Sequence, residues 1–127
     1  MEVTLAESRN LRLVGEFENV FVVERATLRR HDAGEHYGDA AVGIIGPDES
    51  WAATGGEGVI VWRRTGTFEY LRRGRIPAHV ELQPGEFYAV TNMYLIASAV
   101  IGIQIDPESR LSSEWVLDIE TGDLRPV

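Results

Sequence analysis

An all-β fold follows from three observations. Apolar and polar residues alternate with period two along much of the chain, and no segment carries a 3.6-residue apolar stripe. Short runs rich in β-branched and aromatic residues are bounded by Gly, Pro, Asp or Ser. Turn signals return roughly every ten residues, as in an antiparallel sheet protein: Gly46-Pro47-Asp48, Gly55-Gly56, Thr65-Gly66, Arg73-Gly74, Pro84-Gly85, Asp106-Pro107 and Thr121-Gly122. This rhythm predicts a single-domain, mostly antiparallel sandwich or small barrel over residues 1–127, rich in turns and poor in helix. A chain of 127 residues buries roughly two-thirds of its unfolded surface, enough for one core.

The elements follow in order. Leu11 and Leu13 alternate with Arg12, and Phe17 lies between Glu16 and Glu18; Val20 to Val23 is a short apolar run. The stretch His31-Asp32-Ala33-Gly34-Glu35-His36 is polar and reads as a solvated loop between strands. Ala40 to Ile45, Trp51 to Thr54, Val59 to Trp62, Phe68 to Leu71, Val80 to Leu82 and Phe87 to Val90 each have strand length and composition. Thr54-Gly55-Gly56-Glu57-Gly58 precedes a strand rather than a helix, so it reads as a hairpin turn and not a phosphate loop. Met93 to Ile105 reads as one long buried strand with a bulge at Gly102, since its glycine and β-branched residues disfavour helix. Trp115 to Ile119, a turn at Glu120 to Asp123, and Leu124 form a terminal hairpin, with Pro126 suited to an edge.

Charge is distributed in two characters. The chain has a net charge of −8 and a pI near 4.8, and every cation except histidine is arginine. Arg63, Arg64, Arg72, Arg73 and Arg75 fall within thirteen residues beside one acid, Glu69. The rest of the chain holds seven arginines against nineteen acids, a balance of −12. An acidic surface repels duplex nucleic acid and attracts basic proteins, whereas the arginine strip suits an anion. Cysteine is absent, which excludes disulfides and thiolate chemistry. The N-terminus lacks a charged region followed by an apolar core, and no apolar run is long enough for a membrane helix, so a cytoplasmic, membrane-free setting is expected.

Chemical motifs are sparse. His31 and His36 are the nearest approach to a metal pair, but their i, i+5 spacing misses the i, i+4 helical face and points to opposite faces of a strand. They serve as metal ligands only in a reading where a loop brings the rings together. Carboxylate pairs occur without a nucleophile, and no G-x-S-x-G, P-loop or calcium loop is present. The sequence thus names no catalytic residue and no cofactor.

Three likenesses follow from these residues. Val42 to Gly66 looks like the hairpin of a WD-type β-propeller blade, and Trp115 to Gly122 resembles its last strand and turn. Pro84 through Asn92 is similar to the second motif of cupin barrels, with Tyr88 where that motif has its metal histidine. In size, acidity and absence of catalytic motif the whole chain resembles the small acidic immunity proteins that bacteria make to neutralise basic toxins. That resemblance implies a protein-binding module with a basic partner, a toxin in the immunity case. Asp48, Glu49 and Glu57 beside Trp51 are the expected partner contacts, acids around adjacent turns with an aromatic anchor. A small-ligand or enzymatic barrel using the arginine strip is the alternative, and a homo-oligomer assembled through edge strands is a third.

Overall fold

The computed structural model describes residues 2–36, 38–64, 67–70, 90–105 and 114–127, with 67–70 defined by backbone alone. Among the described residues, twelve strands form three sheets. The first contains β1 (Glu2–Glu7), β2 (Leu11–Glu16), β3 (Asn19–Glu24) and β4 (Arg30–Glu35). The second contains β5 (Val42–Ile45), β6 (Trp51–Gly56), β7 (Gly58–Arg63) and β8 (Thr67–Tyr70). The third contains β9 (Val90–Ala97), β10 (Val100–Ile105), β11 (Glu114–Asp118) and β12 (Leu124–Pro126). Each sheet is an antiparallel meander in chain order, and none closes into a barrel. Among the described residues there is no helix. The architecture is therefore the layered, sandwich-type member of the expected all-β pair.

The second sheet is the middle layer, and its composition shows why. A strand sends successive side chains to opposite faces. From β6 and β7, Trp51, Ala53, Val59 and Val61 join a core with Ile101, Ile103, Trp115 and Leu117 of the third sheet. The intervening Ala52 and Trp62 join a second core with Leu11, Leu13, Val20 and Val22 of the first. Strands buried on both faces read as unbroken apolar runs, which is what Trp51-Ala52-Ala53 and Val59-Ile60-Val61-Trp62 are. The outer sheets bury one face mainly and alternate instead, as Leu11-Arg12-Leu13 does. Complete burial of each such aliphatic side chain stabilises the fold by about 1.5–3 kcal/mol.

Three sequence expectations change, and one strand is added. Met93 to Ile105 is not one strand but the hairpin of β9 and β10, turning at Ser98 and Ala99. Irregular register falls at Val100/Ile101 and Gln104/Ile105, not at Gly102. The turn contains no Gly, Pro, Asn or Asp, and Ser98 alone is a weak local mark of it. Residues 30–35 are the edge strand β4, not a loop: pairing with β3 satisfies their backbone while Ala33 and Gly34 are buried. Glu2–Glu7 forms an additional strand, β1, in which Val3 and Leu5 alternate with Glu2 and Thr4 although much of it faces solvent. Phe17 leaves the strand pattern and occupies the β2–β3 turn. The Gly55-Gly56-Glu57-Gly58 hairpin and the β11–β12 hairpin stand as expected, with Gly58 at φ 86°. Strand candidates 80–82 and 87–89 lie outside the described residues, as does most of the cupin-like stretch.

Meanders place their turns alternately at two ends. One end gathers the β1–β2, β3–β4, β5–β6, β9–β10 and β11–β12 turns, and the other gathers β2–β3, β4–β5 and β6–β7. Across the layers β1 packs on β5 and β5 on β9, which keeps the turns of one end together.

Candidate functional site

The first end is bound together by its own polar residues. Glu49 sits at φ 61° in the β5–β6 turn. Its carboxylate accepts a hydrogen bond from Ser8 Oγ, another from Asn10 N at 2.9 Å and a third from Asn10 Nδ2 at 2.8 Å, so it links the second sheet to the first. Those donors, Ser8 foremost, hold the Glu49 carboxyl below the usual carboxylate range, with Arg64 adding a smaller electrostatic pull. Asp48 caps the same turn by accepting from Ser50 N at 3.0 Å and Ser50 Oγ at 2.7 Å. The Ser50 bonds lower its pKa first, and Arg64 contributes again. Arg64 donates its backbone N–H to Ser50 O and its Nε to Glu49 O, at 2.9 and 3.0 Å. Trp51 lies beneath this turn at 4% exposure. A Cβ on Gly46 would come within 2.4 Å of the indole, so glycine is what lets the turn close over the ring.

The opposite end has a different character. Phe17 is 66% exposed and stands at φ 55° in the β2–β3 turn, between Glu16 and Glu18. Exposed Val3 lies nearby, and with Gly15, Asp39 and Ala40 the two border a shallow hollow of about 180 Å³. Glu18 organises the neighbouring connection: its Oε2 accepts from Gly38 N at 2.7 Å and its carbonyl from His36 N at 2.8 Å. A Cβ on Gly56 would reach Asp39 O at 2.9 Å, which places the Glu57 turn against the same connection. Glu16, Glu18, Asp39 and Glu57 thus share one end with Phe17 and Val3.

The expected partner contacts do not form one patch. Asp48 and Glu49 precede β6 and Glu57 follows it, so the six-residue strand separates them by about 20 Å. Glu49 is engaged within the chain, and Trp51 belongs to the core instead of presenting an anchor at the surface. Of the arginine strip, Arg63 and Arg64 close β7 at the first end, while Arg72, Arg73 and Arg75 lie outside the described residues. The histidines are held apart by different partners. His31 Nε2 is 3.0 Å from Glu24 Oε2, with its ring 6.1 Å from that of Trp62. His36 is buried, and its Nε2 is 2.8 Å from Thr54 Oγ1. Among the described residues no three His, Cys, Asp or Glu side chains are grouped to hold a metal ion.

Sequence reasoning missed Phe17 and Val3 as surface features. The available signal was Glu16-Phe17-Glu18-Asn19, a bulky aromatic set among polar residues between two strand patterns. No model of a known protein family matches the chain, and no curated protein sequence matches it. No helix among the described residues is long and apolar enough to cross a membrane.

Proposed function

We propose that the chain is a protein-binding module that takes a basic partner at its Phe17 end, the role implied by the likeness to acidic immunity proteins. One observation carries this reading. Phe17 combines two unfavourable features, an exposed ring and a left-handed backbone that side chains with a Cβ rarely adopt. Strain of this kind concentrates at functional positions, and aromatic residues are frequent interface anchors. Glu18, Asp39 and Glu57 around it, beside Glu16 paired with Arg30 at 3.4 Å, supply the field that steers a positively charged surface. Val3 and the adjacent hollow extend the apolar contact.

Capture from native extract, washed at low and then high salt, tests the reading. A basic protein released by salt from the wild type and absent with Phe17→Ala is the expected result. Retention of the same protein by Phe17→Ala overturns the assignment to this end, and an acidic or nucleic-acid partner overturns the module itself.

A second reading rests on Leu28. It is 70% exposed at φ 63° in the β3–β4 turn, at the other end of β3, with Arg25 and Arg29 close in sequence. An acidic, aromatic end and a basic, aliphatic corner on one chain suit head-to-tail association of copies, a geometry that propagates unless it closes into a ring. Mass in solution well above 14.1 kDa that falls with Leu28→Asp favours it, and a monomer at high concentration rejects it.

A further inference from the structure

The first end holds a groove of about 350 Å³ along the seam between the second and third sheets. Asp48, Arg63, Arg64 and Glu120 stand around it, and Trp51 and Ile119 lie among its lining. The strand register explains the arrangement. Trp51 and Arg63 are directly opposed on β6 and β7, so they project from one face. Trp51 and Ile119 are 4% and 1% exposed and form an apolar floor continuous with the core. Ile119 N donates to Ala99 O at 2.8 Å, which clamps the two turns of the third sheet against each other beside the groove.

The charged rim is set by backbone contacts. Arg64 Nε is committed to the Glu49 carbonyl, fixing the guanidinium, and Arg64 makes no salt bridge among the described residues. Asp48 is oriented by Ser50 N and Oγ. Glu120 is exposed on the β11–β12 turn, where its N–H donates to Asp118 Oδ1 at 2.9 Å. Arg63, Arg64, Asp48 and Glu120 therefore line a groove whose floor is apolar.

We propose that this groove binds a small zwitterion of amino-acid size. Its carboxylate meets the Arg63–Arg64 side, where guanidinium groups match planar oxyanions. Its ammonium meets the Asp48–Glu120 side, and its side chain lies on Trp51 and Ile119. Phosphate is disfavoured by the two carboxylates, and a simple amine by the two guanidiniums. A neutral apolar molecule would desolvate all four charged groups without compensation. The volume lies near the lower end for small-molecule sites, which selects a compact ligand. This site is separate from the Phe17 end and does not depend on the protein-binding reading.

Chemical-shift titration of the isotope-labelled chain tests the proposal. The probes are free L-amino acids added singly, with 4-methylpentanoate, isopentylamine and inorganic phosphate as comparisons. At least one amino acid is expected to give saturable shifts at the Trp51 indole, Ser98 and Ile119. 4-Methylpentanoate and isopentylamine, each missing one charge of leucine, are expected to bind about tenfold or more weakly than the best amino acid. Arg64→Gln and Glu120→Gln, both at exposed positions, are each expected to weaken binding about tenfold, with the thermal midpoint unchanged in Glu120→Gln and slightly lowered in Arg64→Gln by loss of its bond to Glu49 O. The proposal is overturned if no amino acid saturates below about 10 mM, or if phosphate or isopentylamine binds more tightly than every amino acid. Shifts confined to Phe17 and Asp39, or unchanged affinity in both variants, also overturn it.

Discussion

The two ends of the layered stack use similar residues for opposite purposes. At one end an aromatic, Trp51, is buried under a turn, and the neighbouring acid Glu49 is bound to the first sheet by Ser8 and Asn10. At the other an aromatic, Phe17, stands in solvent between two acids. Both ends also use left-handed residues with side chains, Glu49 at φ 61° and Phe17 at φ 55°. The strain at Glu49 is compensated by three hydrogen bonds to its carboxylate. Phe17 has no such compensation in its ring, which is mostly in water. Residue type therefore does not separate buried from presented side chains here; the partners of each side chain do.

Trp51→Ala is the largest expected break in this comparison. It removes a core aromatic and should cost about 3–5 kcal/mol in chemical denaturation, whereas Phe17→Ala should leave the denaturation midpoint nearly unchanged. Comparable losses from both would mean that Phe17 is packed and not presented. Next in size is charge reversal. Glu18→Lys with Asp39→Lys should slow association with the basic partner about tenfold or more at low ionic strength, the gap narrowing as salt is added. The same stopped-flow experiment on Asp48→Lys should show a smaller change, because Asp48 lies at the opposite end from Phe17.

Phe17→Gly sharpens the contrast further. Glycine adopts φ 55° without the Cβ clash, so the variant should gain about 1 kcal/mol of stability while losing partner affinity. A loss of stability would show that the ring contributes to the fold. Leu28→Gly is the matching control for the backbone term alone, at φ 63°.

The smallest effect concerns pH. The folded pKa values of Asp48 and Glu49 lie below their ordinary values of 3.8 and 4.5. A carboxylate shifted downwards adds stability that is fully present above its unfolded pKa and is lost as pH falls through its folded pKa. Glu49→Gln should therefore be less stable than wild type near neutrality, with the difference shrinking as the medium drops below pH 4.5. A difference that stays constant down to strong acid would place the Glu49 contribution in packing and not in its charge. Denaturation midpoints across an acid series distinguish the two.

Much of the fold was legible in the chain because its causes are local. Turn punctuation and period-two alternation mark β2, β3, β6, β7 and β11 directly. The continuous run Val59 to Trp62 even carries the mark of a strand covered on both sides. The hairpin at Ser98–Ala99 was not legible, because its turn residues are ordinary and only the packing of Ile101, Ile103 and Ile105 on the second sheet requires the chain to fold back there. The candidate site was legible in part. Asp48 and Trp51 were expected as partner contacts and Arg63 and Arg64 as part of an anion strip; the structure lines one groove with all four. Glu57, eight residues from Glu49 in sequence, is carried to the far end by β6.

By itself the sequence determined strand-forming runs, their spacing, the acidic balance and the absence of cysteine chemistry, since each depends on residue type and near neighbours. Only the tertiary structure decided which turns share an end, which of two aromatics is core and which is exposed, and which acids are already hydrogen-bonded. Those properties arise from contacts between residues far apart in the chain, such as Glu49 with Asn10 and Ile119 with Ala99. Local propensity carries no record of such contacts, because layer stacking creates them.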